Sequence, residues 1–330
     1  MADNIDAMKE AGLDQVIPFQ VEPLDARGRA VQLGPVLDSI LHRHNYPEVV
    51  SALLAEAITL TVLLGTSLKF DGKFIVQTQT DGPVSMLVVD FRTPGNIRAY
   101  ARFDEDLLQA AIKAGNSDPI SLMGNGILAM TIDQGKYTQR YQGIVQLKDC
   151  GLEEVAQQYF KQSEQIPTQV RLAVAQSLTR QDGGKPSHRW QAGGFLVQFL
   201  PDSIERMRLR DLPGGDTPES DQPEHAEFFS EDDAWLEVQS LVKTVADVEL
   251  VEREVSSERL LYRLFNEHGV RVFESQPVLD NCSCSEESIK SILSSFNPDE
   301  VIESTVNGDI EVNCEFCSKS YLFDAKEFSS

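Results

Sequence analysis

Cys282-Ser283-Cys284 and Cys314-Glu315-Phe316-Cys317 place four of the chain's five cysteines within its last fifty or so residues. Two close thiol pairs, about thirty residues apart, can supply the four thiolates of one tetrahedral zinc site. The same spacing lets each pair close on itself as a local disulfide. α-Carbons two or three positions apart can lie within the ~4.4–6.8 Å that such a bond requires. One constellation therefore admits a metal site or two disulfides, and that choice has the character of a switch.

The segment that carries the thiols needs a staple. Residues 281–330 contain few large apolar side chains, and a module of that size can hardly supply a stable core by itself. Ser285 is placed to cap a helix bearing Ile289, Ile292 and Leu293. Asn307-Gly308 signals a type I′ hairpin whose second strand runs into the Cys314–Cys317 knuckle. Structural zinc contributes roughly 10–16 kcal/mol in small peptides at neutral pH, so metal binding and folding become one event. The reduced module is expected to hold one Zn²⁺ through Cys282, Cys284, Cys314 and Cys317. Closing either short loop as a disulfide costs little chain entropy and removes two of the four ligands. Metal release and unfolding of the module would follow.

Ahead of the module lies a charged, apolar segment. Between positions 213 and 255 there are thirteen acidic residues against two basic ones. The first half, to about Asp233, reads as a mobile linker. Beyond it Trp235, Val238, Val242 and Val245 recur at helical spacing behind Asp232 and Asp233. Ser257 is placed to cap a second helix with Leu260, Leu261, Leu264 and Phe265, ending at Gly269. Residues 270–273 read as a short strand. Such helices are marginal alone and should dock while the module is folded. Once released, Trp235, Val238, Val242, Val245, Leu261 and Phe265 form a candidate client-binding linker surface. The composite expectation is a chaperone switched on by oxidation.

The remainder of the chain must carry this device. Residues 21–42 suggest a strand and a helix about a turn at Arg27-Gly28-Arg29, and Pro47 opens an apolar helix running to about position 68. Strands are expected over 74–79, 84–89, 97–103, 126–133, 141–147, 170–177 and 195–200, with helices over 105–113 and 152–162. Runs of strands with intervening helices and no βαβα regularity give an α+β fold class. The expected organisation is a polar tail (1–16), a large N-terminal mixed sheet-and-helix domain (17–212), an acidic, metastable linker (213–280) and a zinc-binding redox module (281–330).

A formal net charge of −23 repels phosphate backbones and anionic lipid, which argues against nucleic acid or membrane as a partner. The start of the chain lacks a basic and apolar leader pattern, and the most apolar stretch, 49–64, carries Glu56 and is short of the ~20 residues a bilayer span needs. A reducing cytoplasmic setting suits paired thiols used for metal or redox chemistry. Cys150 reads as a partly buried, inert thiol, and His42-Arg43-His44 as a surface turn. Gly124-Asn125-Gly126 lacks a phosphate-loop context and reads as a turn or bulge. No catalytic triad or paired-carboxylate arrangement stands out, so no enzymatic activity is expected.

Beyond the cysteines, the chain resembles the redox-regulated 33 kDa heat-shock chaperone family, bacterial cytosolic holdases. The resemblance rests on the two cysteine pairs with Tyr321 and Phe323-Asp324, on Gly124-Asn125-Gly126 and on Tyr141-Gln142-Gly143-Ile144-Val145. It extends through Tyr159-Phe160, Ser163-Glu164-Gln165, Gly193 to Gln198, Leu260 to Phe265 and Val270 to Phe273. It implies a reduced, zinc-bound form of low activity. It also implies that Cys314 and Cys317 join first and release zinc, that the linker then unfolds, and that Cys282 pairs with Cys284. The active form would bind unfolding client proteins without ATP and form a homodimer. Ser285-Glu286-Glu287 departs from relatives that carry basic residues there, which removes electrostatic help for the Cys284 thiolate. Two other classes compete: a zinc-ribbon interaction module, which the acidic surface opposes, and a thiol-disulfide oxidoreductase, which lacks a thioredoxin-like βαβ setting.

Overall fold

The computed structural model describes residues 12–67, 71–135, 140–180, 186–200 and 232–328. The expected polar tail lies mostly outside them, as does the linker up to position 231. The fold is α+β, as expected, and is built on two large sheets and one long helix.

The first sheet contains β1 (Gln15–Val21), β2 (Ala26–Leu33), β8 (Thr168–Arg180) and β9 (Pro186–Phe199). The second contains β3 (Lys73–Thr80), β4 (Met86–Arg92), β5 (Asn96–Arg102), β6 (Gly126–Asp133) and β7 (Tyr141–Leu147). Helix α1 (Pro35–His44) leads into α2 (Glu48–Ser67), which is packed between the two sheets. With both sides against a sheet, α2 is apolar all round, as a fully buried helix must be. Its 20 residues match the helix expected from Pro47 to about position 68; it is long and apolar enough to cross a membrane, but 78% of its most apolar 18 residues are buried within the body. Thr59, Thr61 and Thr66 keep their hydroxyls satisfied there by donating to carbonyls four residues back at 2.7–2.8 Å. The peripheral helices α3 (Glu105–Lys113), α4 (Pro119–Met123) and α5 (Leu152–Tyr159) complete the body.

The first sheet is covered on its other face as well. Helices α6 (Asp233–Lys243), α7 (Asp247–Val251) and α8 (Ser257–Phe265) form a second core with β1, β2 and β9. Its centre is a stack of Phe19, Phe195 and Phe265, with ring centroids 5.1–6.4 Å apart. The two-sided cover corrects two local readings. Arg27-Gly28-Arg29 is strand, not turn: a methyl at Gly28 would lie 2.2 Å from the Phe19 ring, so close packing requires the glycine. β9 runs straight through Gly193-Gly194 instead of starting at 195, because each glycine lets a neighbour approach one face of the sheet. β1 begins at Gln15, inside the segment read as tail, and Asp14 accepts from the Gly34 and Val36 amides at the start of α1.

The chain after α8 stitches the layers together. β10 (Arg271–Val272) and β11 (Gln276–Pro277) pair antiparallel with β1, and β12 (Leu279–Asp280) pairs parallel with β5 in the second sheet. The last module holds α9 (Glu286–Leu293), α10 (Pro298–Glu303) and the hairpin β13 (Asp309–Asn313) with β14 (Ser320–Asp324). Asn297 and Glu300 cap α10 reciprocally, a local signal that the sequence reading passed over. The cap of α8 is Ser256, one residue before the expected Ser257.

A candidate metal centre on the edge of the second sheet

Six buried side chains, Leu293, Val301, Ile310, Tyr321, Phe323 and Ala325, make the core of the C-terminal module. The Cys282 and Cys284 pair lies on the segment between β12 and α9, whose N-cap is Ser285. The Cys314 and Cys317 pair lies on the turn between β13 and β14. There the Ser318 amide donates to Cys314 O at 2.8 Å, and Ser318 takes a left-handed φ of 56°. The four Sγ atoms all lie within 4.8 Å of one another, with Cys282–Cys314 at 3.7 Å and Cys284–Cys317 at 3.3 Å. A tetrahedral ion with ~2.3 Å bonds to sulfur sets its ligands about 3.8 Å apart. All-sulfur donors in that spacing fit a closed zinc site, and the cysteines are not disulfide-bonded. Tyr321 Oη donates to Cys284 Sγ at 3.2 Å. Burial opposes ionisation of Cys284, yet that hydrogen bond and the neighbouring thiols bring it down to about 7. Burial first of all pushes Cys317 up to about 12.

The centre is not confined to its own module. Phe316, between Cys314 and Cys317, projects onto β5: its ring meets Tyr100 edge-on at 4.9 Å and lies 4.0 Å from the Arg98 guanidinium. His44 Nε2 faces the carbonyls of Ala99 and Phe316, each at 3.1 Å, so it carries the proton and donates to both. Burial lowers the His44 pKa, which keeps this imidazole neutral. Arg43 pairs with Asp280 and reaches Phe316 O at 3.5 Å, while Arg102 pairs with Glu315 at 2.7 Å. His42-Arg43-His44 is therefore the last turn of α1, two of whose members receive the knuckle, and not a free surface turn. Arg98, Tyr100 and Arg102 went unrecognised in the sequence, although strict alternation along β5 sets all three on one face.

The residues expected to form a linker surface are packed inward. Trp235, Val238, Val242, Val245, Leu261 and Phe265 are all at most 3% exposed, against the first sheet. Gln32 on β2 fixes this cover by donating from Nε2 to the carbonyls of Leu250, Glu252 and Val255 at 3.2, 3.3 and 2.8 Å. Cys150 is buried in the main core, and Gly124 takes a φ of +66° in a turn against Gly82.

A two-sheet body covered by helices and closed by a four-thiol module defines the architecture. The family model described as Hsp33 protein matches residues 14–324. The 33 kDa chaperonin of Caulobacter vibrioides is 43% identical over 314 residues, covering 94% of this chain and 95% of that one. That of Ectopseudomonas mendocina is 33% identical over the same length, covering 94% and 92%. The crystal structure of the 33 kDa chaperonin of Thermotoga maritima shares the fold, with a TM-score of 0.70 over 96% of both chains at 20% identity. The chain belongs to the Hsp33 family of heat-shock chaperones.

Proposed function

We propose that this protein is an ATP-independent holdase whose activity is set by the redox state of its four clustered thiols. The observation that carries the reading is the approach of Cys282, Cys284, Cys314 and Cys317 to within 4.8 Å on a module with six buried side chains among its described residues. In the reduced state these thiolates would hold one Zn²⁺, which supplies the folding energy the small core lacks. Peroxide oxidation of the Cys314 and Cys317 thiolates forms one S–S bond, and the two electrons, with two protons from solvent, reduce H₂O₂ to two waters. That leaves only two of the four donors, so the metal is lost. Pairing of Cys282 with Cys284 follows by the same balance.

With the module unfolded, Phe316 leaves β5 and the chain feeding β12 slackens. The linker helices α6 to α8 are then free to peel from the first sheet. They expose Trp235, Val238, Val242, Val245, Leu261 and Phe265 to unfolding clients, together with the face of the body (17–212) that they covered. Dimerisation of the oxidised form, a cytoplasmic location and action by binding instead of turnover complete the proposal. The test is light scattering of a chemically unfolded client diluted into reduced, zinc-loaded protein and into peroxide-treated protein. Suppression of aggregation by the oxidised form alone is expected. Equal suppression by both forms would refute the switch, and binding by the metal-loaded form alone would favour a zinc-dependent interaction module.

A further inference from the structure

The thiol cluster has a partner outside its own module, and the residue comes from the body of the protein. Arg98 sits in the middle of β5 with its side chain 17% exposed. Its Nε and Nη2 donate to Asp90 Oδ2 on β4 at 2.8 and 2.6 Å, which fixes the plane of the group. The remaining nitrogen, Nη1, faces Cys282 Sγ at 3.7 Å, and the guanidinium lies 4.0 Å from the Phe316 ring centroid. One side chain therefore touches both halves of the cysteine constellation, a ligand of the first pair and the residue between the ligands of the second.

Strand register produces this contact. Asp280 of β12 pairs with Ile97 of β5, so the chain two residues further on runs alongside Arg98. Zn²⁺ with four thiolates carries a net charge of −2, and a half-buried dianion needs donors aimed at its sulfurs. The local sequence offers no cationic side chain after the first pair, where Ser285, Glu286 and Glu287 follow.

We propose that Arg98, oriented by Asp90, is a positioning residue of the metal centre: it donates to Cys282 across the module boundary, so that metal affinity depends on docking to the sheet. The inference rests on the metal-centre reading above. By linkage the coupling is reciprocal, and metal binding tightens the seating of Phe316 on β5 by the same factor. Partners that orient ligands from outside the coordination sphere are typically worth roughly 10–100-fold in metal affinity.

The test uses the full-length reduced protein, loaded with one equivalent of Zn²⁺ and titrated with a chromogenic chelator. A parallel sample carries Co²⁺, whose thiolate charge-transfer band reports hydrogen bonding to sulfur. Arg98→Gln is expected to weaken zinc binding roughly 10–100-fold and to shift the cobalt band. Arg98→Gln combined with Asp90→Asn avoids an unpaired buried carboxylate and should show the same loss with the body folded. Arg140→Gln, which removes the pair with Asp133 of β6 away from the module, should stay within about twofold of wild type. Equal losses in the double variant and in Arg140→Gln would overturn the proposal, as would an unshifted cobalt band with unchanged affinity. A wild-type protein that takes up no zinc would instead sink the metal-centre reading itself.

Discussion

Adding one methyl group to the first sheet, at Gly193→Ala, should release the linker without touching a cysteine. A Cβ at Gly193 would lie 1.9 Å from Leu250 O and 2.5 Å from Leu250 C. Both are backbone atoms, so no rotamer change relieves the clash, and α7 must lift by roughly 1.5–2 Å to reach ordinary contact. That lift breaks the contacts of the Gln32 amide with three carbonyls, worth about 2 kcal/mol together because its nitrogen carries two hydrogens. It also re-exposes part of Leu250, now 2% exposed, at about 1–2 kcal/mol. The docked state of the linker helices should lose about 3–4 kcal/mol, or roughly 10²- to 10³-fold in population. The ladders joining β9 to β2 and β8 need not change, so the body should stay folded. Hydrogen exchange over residues 232–265 of the reduced, zinc-loaded protein measures the release, and light scattering of an unfolded client measures its consequence. Fast exchange with client holding in the absence of oxidant is the expected result. Wild-type protection of α6 and α7 would refute the steric reasoning. Released helices with no gain in holding would refute the linker's role in activity.

Other perturbations test other parts of the structure. Gln32→Ala removes the same amide contacts without a clash and should weaken linker docking by about 2 kcal/mol, seen as faster exchange confined to residues 246–255. Burial, and secondarily the charge of Glu153, raises the Glu56 carboxyl on α2 to about 7. The folded state then binds more protons than the unfolded one between about pH 4.5 and 7, so this group makes stability fall as pH rises through that window. Glu56→Gln should abolish the fall and stabilise the protein at pH 8 by at most about 3 kcal/mol, and parallel urea titrations at pH 5 and pH 8 with no difference between variant and wild type would exclude it. Removing zinc with a chelator under reducing conditions should collapse protection in β13 and β14 while α2 remains protected, because the module's core is six side chains and that of the body is far larger. Persistent protection in the hairpin would show that the module folds without metal.

The cysteine pairs, the hairpin turn at Asn307-Gly308 and strands such as β7 were legible in the sequence because each is a local pattern. Thiol spacing, turn chemistry and period-two alternation need no knowledge of distant residues. The helical spacing of Trp235, Val238 and Val242 was legible for the same reason, but not the surface that covers them. Gly28, Gly193 and Gly194 look like breakers in the sequence, and only packing on both faces of one sheet makes them strand residues. The setting of the thiol cluster was likewise decided in three dimensions. Arg98 reaches Cys282 across 184 positions because β12 joins β5 in parallel with one particular register, and a two-residue strand carries no signal of its partner. Residue types and spacing determined that four thiols could hold a metal and trade it for disulfides. The tertiary structure alone decided that the knuckle rests on Arg98, Tyr100 and His44, since register and packing between distant segments are properties of the whole chain.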